Sequence, residues 1–435
     1  MFTVGLATLG CKVSQYETEA VGEAFEAQGF RIVDFSARAD VYVINTCTVT
    51  AESDRKSRQM IRRAIRTNPD AVVMVMGCYS QTSAEEVAAI EGVSYVSGTN
   101  GKLLLPSAAL ALLRERNPSA ALCVTPLDGA PFEAMSVYRA PRTRAYVKIE
   151  DGCECRCTYC AIPSARGLVR SKRPEDVLAE VETLAKGGTK EVVLTGIETA
   201  SYGADLDGFR LIDLLEMLDE KSSLSRIRLG SLTPEIMRED FVSRLSKLKK
   251  IVPHFHLSMQ SGSDSVLRGM KRRYNTKMAL DALKRLREAM PRVCFTTDMM
   301  VGFPGEREEH FLETLAFTER ASFLDMHVFA YSRRKGTPAA EYPDQIPEPV
   351  KKDRSARLMS LAAKLREENL ARLVSRGEPL TVLFETEENG IWHGHSDEFA
   401  PVSVRAAKDL HGTLALVHPI SSDRDGIFGE LLSLK

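Results

Sequence analysis

The sequence predicts an α/β fold built in three parts, and three features carry that prediction. Two stretches of β/α alternation fill most of the chain, a long charged helix follows, and the last part changes to short strands separated by turns. In the first stretch FTVGLATLG, DVYVINT and AVVMVMG are apolar or β-branched runs. Each precedes a polar, helix-like segment, the pattern of buried parallel strands. They define an N-terminal parallel-sheet α/β domain over residues 1–125. A connector with Pro, Ala and Gly near Pro126–Pro141 leads into the second stretch. There AYVKIEDG, EVVLTGIE, RIRLGSL, HFHLSMQ, VCFTTDMMVGFPG and DMHVFAYS alternate with helical segments. Six such units predict a curved parallel sheet within residues 140–375, either an incomplete barrel or an open doubly wound sheet. Pro347 and Pro349 mark the entry of the charged helix, which runs to about Arg376. TVLFETE, IWHGHS and TLALVHPI then form a small all-β module over residues 376–435.

The 435 residues are 44% hydrophobic and 27% charged, the composition of a soluble protein too long for one core. The net charge of −1 gives no global pull toward a polyanion, so nucleic-acid binding has to come from local patches. MFTVGLATLGCK lacks the basic start and long apolar run of a secretory leader, and no apolar run reaches the length of a membrane span. The expected setting is the cytosol, with no membrane partner and the chain monomeric. Thiols stay reduced there. The nine cysteines therefore read as metal ligands or buried thiols rather than as a disulfide frame.

In DGCECRCTYC, Cys153, Cys157 and Cys160 have the spacing Cys-x3-Cys-x2-Cys, in the loop after the first strand of the six-unit sheet. Three thiolates can hold three irons of a 4Fe–4S cluster and leave the fourth open. An open iron can bind the amino and carboxylate groups of S-adenosylmethionine, whose reductive cleavage gives a carbon radical. Ligand sites of parallel β/α sheets lie at the carboxyl ends of the strands, where this loop sits. The alternative is a structural zinc site with Cys155 as fourth ligand, but four cysteines within eight residues leave little chain to wrap a tetrahedron. Cys155 reads as a thiol that is not a ligand.

A second trio has a geometric logic. Cys11, Cys47 and Cys78 each directly follow one of the N-terminal strands. Parallel strands bring their carboxyl ends to one edge, so the three sulfurs converge as soft ligands for a second cluster. Any one of them alone would read as a buried structural thiol, as Cys123 and Cys294 do.

With these residues in place, the sequence resembles the methylthiotransferase family of radical S-adenosylmethionine enzymes along nearly its whole length. TLGCKVSQYETE, VINTCTVT and VMGCYSQ resemble the cysteine segments of that family's N-terminal domain, and DGCECRCTYCAIPSARG its radical motif. HLSMQSGSDSVLRGMKRRY, TTDMMVGFPGE and FAYSRRKGTPAA are similar to later barrel segments. The opening is most like the branch acting on N6-threonylcarbamoyladenosine of transfer RNA, whereas LTGIETASYG departs from the family pattern. The resemblance implies a partial (β/α)6 TIM-like radical SAM barrel and a C-terminal TRAM-like β-barrel that binds RNA. It implies two 4Fe–4S clusters, S-adenosylmethionine, a tRNA partner, and a sulfur donor and an electron donor whose identity the sequence does not give. It also implies a two-stage reaction. One S-adenosylmethionine methylates a sulfur on the cluster of Cys11, Cys47 and Cys78. A second, cleaved at the cluster of Cys153, Cys157 and Cys160, yields the radical that removes hydrogen from C2 of the adenine, to which the methylthio group is transferred. The sister branches act on isopentenyladenosine and on a ribosomal-protein aspartate. A non-enzymatic iron–sulfur RNA-binding protein is the rival of another class.

Tyr159 resembles the aromatic beside bound S-adenosylmethionine, with loop packing as the plainer reading. Gly196, Glu198, Ser231, Gln260 and Asp298 are placed at strand ends, where cofactor contacts gather. GFPG at Gly302–Gly305 reads as a tight turn shaping the adenine pocket. For RNA, Arg55, Lys56, Arg58, Arg62, Arg63 and Arg66 form a basic helix face backed by Met60, Ile61, Ala64 and Ile65, in a segment without an acid. Lys271, Arg272 and Arg273, and Arg333, Arg334 and Lys335, are further basic candidates. Residues 377–435 hold Arg405, Lys408, Arg424 and Lys435 against ten acids, so the grip of this module on RNA would fall to a locally positive face or to stacking by Trp392 and Phe399.

Overall fold

The computed structural model describes residues 1–115, 120–140 and 142–435; Pro141, the end of the expected connector, lies outside them. The N-terminal sheet contains β1 (Thr3–Thr8), β2 (Arg31–Val33), β3 (Val41–Thr46), β4 (Val72–Gly77), β5 (Tyr95–Ser97) and β6 (Ala121–Cys123). Its order is β2-β1-β3-β4-β5-β6, parallel throughout. Every residue of β3 and β4 is buried because helices cover both faces. Tyr16, Val21, Phe25 and Leu105 pack with Val43, Met74 and Met76, while Ile61, Ala64 and Val87 pack with Ile44, Val73 and Val75. The three strands expected from sequence are the centre of this sheet. The added β2, β5 and β6 have three residues each, too few to show a period.

The central sheet begins at β7 (Arg144–Lys148), followed by the antiparallel pair β8 (Glu150–Asp151) and β9 (Arg170–Ser171). Then come β10 (Glu191–Thr195), β11 (Arg226–Leu229), β12 (His254–His256), β13 (Cys294–Val301) and β14 (Asp325–Ala330). β7, β10 and β11 are neighbours in that order, as are β12, β13 and β14, and all are parallel. Single bridges Ile227–Ile251 and Leu232–Leu257 join the two halves. Spatial order thus follows chain order, which makes the sheet an incomplete barrel rather than a doubly wound sheet.

The helix Glu348–Ser375 leads into a closed barrel of β15 (Leu380–Glu388), β16 (Ile391–Ser396), β17 (Pro401–Arg405), β18 (Leu414–Ser422) and β19 (Ile427–Leu434). Leu370 and Leu373 of the helix share a core with Val382, Phe384, Trp392 and Val417. Trp392 is therefore a core residue, not a stacking platform for RNA.

Phe399 is also turned inward. Its ring lies between His254 and His395, with centroids 4.7 Å away on each side, and the Arg228 guanidinium stands 4.9 Å from it. Arg228 donates to the carbonyls of Asp397 and Ser396 at 3.1 and 3.2 Å, and Arg226 to the Asp397 carboxylate at 2.7 Å. These contacts plug the amino-terminal end of the central barrel with a loop of the small one. Beneath them Glu191, fully buried, pairs with Arg144 at 2.9 Å, Arg228 at 3.3 Å and Arg226. Burial pushes this carboxyl up, but the guanidiniums of Arg228, Arg226 and Arg144 outweigh it and hold the group well below the carboxylate range. A depressed native value stabilises the fold above the ordinary carboxylate pKa, and that stability drains away as the pH falls toward the native value. We expect Glu191→Gln to cost about 3 kcal/mol near neutrality. In urea titrations between pH 6 and pH 3 the variant should lose stability less steeply than the parent protein; parallel losses would contradict this role.

Candidate active site

The two cysteine trios occupy the carboxyl edges of two different sheets. Cys11 follows β1 and precedes the helix Lys12–Ala27, Cys47 follows β3, and Cys78 opens the short helix after β4. Their convergence depends on glycines. Gly10 has φ +123°, and a Cβ there would lie 3.2 Å from the Cys47 Cβ. Gly77 has φ +105°, and a Cβ there would come within 2.4 Å of Asn45 Oδ1 and 2.5 Å of the Thr46 carbonyl. Burial pushes the Cys78 thiol up to about 11, and the neighbouring Cys11 and Cys47 add to the rise while Arg166 opposes it. Three sulfurs on one sheet edge suit a soft metal centre, which binds them as thiolates.

The second trio lies in the loop between β8 and the helix Ile162–Arg166. Gly152 allows this loop to fold against Leu168, whose carbonyl a Cβ would meet at 1.9 Å, and the Cys153 amide donates to the Gly167 carbonyl at 3.0 Å. Thr158 fixes the centre of the loop by donating from its amide and hydroxyl to the Met270 and Gly269 carbonyls at 3.1 and 2.8 Å. Burial pushes the Cys160 thiol up to about 12. Cys155, expected not to be a ligand, lies beside Cys153, its amide donating to the Cys153 sulfur at 3.5 Å. With Cys153 and Glu198 it forms a group whose ligand atoms all lie within 4.8 Å of one another.

The strand-end residues divide. Gly196 directly follows β10, and a Cβ there would come 2.5 Å from Glu150 Oε2. That oxygen accepts the Glu198 amide at 2.8 Å. Oε1 of both Glu150 and Glu198 is shielded from solvent without a partner, and burial followed by the nearby Cys155 pushes the Glu198 carboxyl up to about 8. Two unpaired carboxyl oxygens beside the thiol loop can accept from an incoming ammonium group. Ser231 lies just beyond β11, and Gln260 is held at φ +63° by its amide bond to the Asp298 carbonyl, 2.8 Å. Asp298 is not at a strand end. It lies in mid-β13, deeper in the barrel, with His256 at 3.1 Å and His327 at 3.4 Å. Tyr159 packs against the apolar cluster of Met270, Met300, Phe303 and Tyr331. The GFPG turn lies under the long C-terminal helix, with the Gly302 amide on Glu306 at 2.6 Å and Glu306 on Arg354 at 2.8 Å. It braces the barrel against that helix.

The basic patches are partly spent on internal contacts. The helix Ala51–Thr67 starts ahead of the acid-free segment, and its Glu52 pairs with Arg55 at 2.6 Å and Lys56 at 4.0 Å. Arg58 donates to Tyr79 at 2.9 Å and Glu86 at 3.2 Å, whereas Arg62, Arg63 and Arg66 are exposed. Arg334 bonds Thr48 at 2.6 Å and Asp54 at 2.7 Å, tying the end of β14 to the Cys47 loop. Arg272 donates to Cys157 Sγ at 3.3 Å and to the Ser258 carbonyl at 3.0 Å. Arg166 donates to Cys78 Sγ at 3.2 Å. Sequence reasoning missed these last two as sulfur partners. The one available signal for Arg166 was a lone arginine within the cysteine loop's own helix.

Comparison with known proteins agrees with this geometry. Residues 147–318 match the radical SAM superfamily and residues 3–98 the uncharacterized protein family UPF0004. The chain is 42% identical to the threonylcarbamoyladenosine tRNA methylthiotransferase MtaB of Bacillus subtilis, over 96% of this chain and 93% of that protein. It is 38% identical to the Aquifex aeolicus MtaB over 89% and 93%, and 33% identical to a Staphylococcus aureus tRNA-2-methylthio-N(6)-dimethylallyladenosine synthase over 95% and 81%. Among solved structures, the radical S-adenosylmethionine methyltransferase TsrM of Kitasatospora setae shares the fold, with a TM-score of 0.60 at 17% identity, covering 90% of this chain and 80% of that one. Fold and thiol loop together define a radical SAM enzyme, and its class of reaction is group transfer. More narrowly, the chain belongs to the tRNA methylthiotransferase family.

Since Gly77 sets the approach of the Cys78 loop, Gly77→Ala should lower stability by about 2 kcal/mol through strain at positive φ. A thermal melt reads the loss; an unchanged midpoint would show that the loop tolerates a side chain there.

Proposed function

We propose that this chain attaches a methylthio group to C2 of N6-threonylcarbamoyladenosine next to the anticodon of transfer RNA, using S-adenosylmethionine and two 4Fe–4S clusters. One observation carries the reading: two thiol trios, each on the carboxyl edge of its own parallel sheet, face a shared region bridged by Arg166. The close MtaB relatives favour the threonylcarbamoyl branch over the dimethylallyl one. Residues 1–125 form the auxiliary-cluster unit, 140–375 the radical unit and 376–435 the TRAM-like unit. The enzyme works in the cytoplasm as a monomer, served by a separate electron donor and sulfur donor. No described helix is long and apolar enough to cross a membrane.

Cys153, Cys157 and Cys160 would hold the radical cluster, whose open iron supplies reductive cleavage of S-adenosylmethionine. Cys11, Cys47 and Cys78 would hold the auxiliary cluster, the station for the sulfur that becomes the methylthio group. Around them the chain's own residues bind and orient. Glu198 and Glu150 offer unpaired carboxyl oxygens to the ammonium of S-adenosylmethionine, and Gly196 keeps the floor beside them clear. Ser231, Gln260 and Tyr159 border the same edge, while Asp298 with its two histidines lies further in, toward the reach of the nucleoside. An aromatic C–H is too weak an acid for a side-chain base near neutrality, which accounts for a site without an acid–base pair poised for that task.

Anaerobic reconstitution followed by nucleoside mass spectrometry tests the reading. Cys157→Ala should abolish release of 5′-deoxyadenosine, and Cys47→Ala should spare that release while stopping thiolation. Methylthio-isopentenyladenosine as the product would move the chain to the other branch, and RNA binding without any deoxyadenosine would remove it from the enzymes. For the tRNA surface, replacing Arg62, Arg63 and Arg66 together by Glu should weaken tRNA binding. It should also reduce the slope of log affinity against log salt by about two units. A filter-binding series across salt concentrations measures both, and an unchanged slope would place the RNA elsewhere.

A further inference from the structure

Among the described residues Arg166 is the largest fully buried side chain, and no polar atom of its guanidinium faces water. It ends the helix Ile162–Arg166, which begins two residues after Cys160, yet its side chain leaves the radical domain and enters the N-terminal one. There Nε donates to Cys78 Sγ at 3.2 Å, while Nη1 and Nη2 donate to the two Glu17 oxygens at 2.5 and 3.1 Å. Nη1 also reaches Asp151, at 3.2 Å, two residues ahead of Cys153. The adjoining Gly167 carbonyl accepts the Cys153 amide. One residue thus touches a thiol of one trio and, through Asp151 and the adjoining Gly167 carbonyl, lies beside the loop of the other.

We propose that Arg166 is a positioning residue that locks the auxiliary thiol site to the radical site and sets the reduction potential of the cluster held by Cys11, Cys47 and Cys78. The inference rests on the reading of Cys78 as a ligand of that cluster. Charge balance supports it independently of any relative. Among the described ion pairs, Lys102, Lys148, Arg166 and Arg170 meet three carboxylates, Glu17, Asp151 and Glu133, while burial pushes the neighbouring Glu150 toward its neutral form. An uncompensated cation in such a place is expensive. The remaining acceptor on Arg166 is the Cys78 sulfur, and a metal-bound thiolate supplies the missing negative charge where a neutral thiol does not.

A hydrogen bond and a buried positive charge at a cluster sulfur stabilise the more negative, reduced state and raise the potential. Arginine suits this position better than lysine, because its planar fork serves the sulfur and both carboxylates at once, and an ammonium on a flexible stem cannot. A merely structural strut would hold the domains together and leave the potential where it was.

The test uses full-length protein with Cys153, Cys157 and Cys160 replaced by Ala, so that only the auxiliary cluster remains. Its potential is measured by EPR-monitored redox titration, with iron content and circular dichroism recorded alongside. Arg166→Lys and Arg166→Gln should shift the midpoint to more negative values at unchanged iron content. An unmoved midpoint in a folded, iron-loaded variant overturns the tuning role. If both variants fold poorly, the same protein carrying 15N-labelled arginine decides: pulsed EPR of the reduced cluster should show one nitrogen coupling through the N–H···S bond, and no coupling overturns the proposal. Absence of iron from the triple-alanine protein would sink the ligand reading itself and the tuning role with it.

Discussion

The arrangement of the whole site depends on one buried carboxylate, Glu17. It is fully enclosed and faces Arg166, Lys148 and Lys102 at 2.5, 2.8 and 3.3 Å. Burial alone would drive this acid to its neutral form. The cations, led by Arg166, reverse the effect and hold it well below the carboxylate range. Such clusters add little stability compared with an apolar core of equal volume, yet removing one member leaves an unpaired charge in a dry interior at a cost of several kcal/mol. The consequence is geometric. Glu17 belongs to the N-terminal helix that follows Cys11, whereas Arg166 and Lys148 belong to the central barrel, so the two thiol sites cannot drift apart without breaking the network.

The other end of the barrel follows the same logic with different residues. Glu191 gathers Arg144, Arg226 and Arg228, and the last two extend to the Asp397 loop of the small barrel. Phe399, at φ +70°, accepts a left-handed backbone to place its ring between two histidines. The small barrel is thereby fixed to the floor of the central one while the thiol loops open on its opposite, carboxyl end. A substrate that reaches the clusters and also touches the small barrel has to span the side of the molecule, a requirement that an RNA stem meets more readily than a free nucleoside.

Much of this was legible in the sequence, for identifiable reasons. Strands such as VYVINT and VVMVMG are continuous apolar runs because both faces are covered, and a cysteine after each marks the shared edge. The tight Cys-x3-Cys-x2-Cys loop announces its chemistry by spacing alone. What the sequence concealed was long-range pairing. Nothing local distinguishes Arg272 or Arg334, which spend their charge on Cys157 and Asp54, from exposed neighbours such as Arg273 and Arg333. Trp392 and Phe399 looked equally available as stacking surfaces, and only the closure of β15 to β19 and the wedge into the central barrel assign them inward. Asp298 was placed at a strand end because β13 runs on to Val301, longer than its neighbours.

Two separate metal centres held in one frame make the metal count the most direct test. Iron-57 Mössbauer spectroscopy of the anaerobically reconstituted full chain should show two cubane clusters, about eight irons per chain, each with one iron distinct from the other three. A single cluster, or zinc in place of iron, would contradict it.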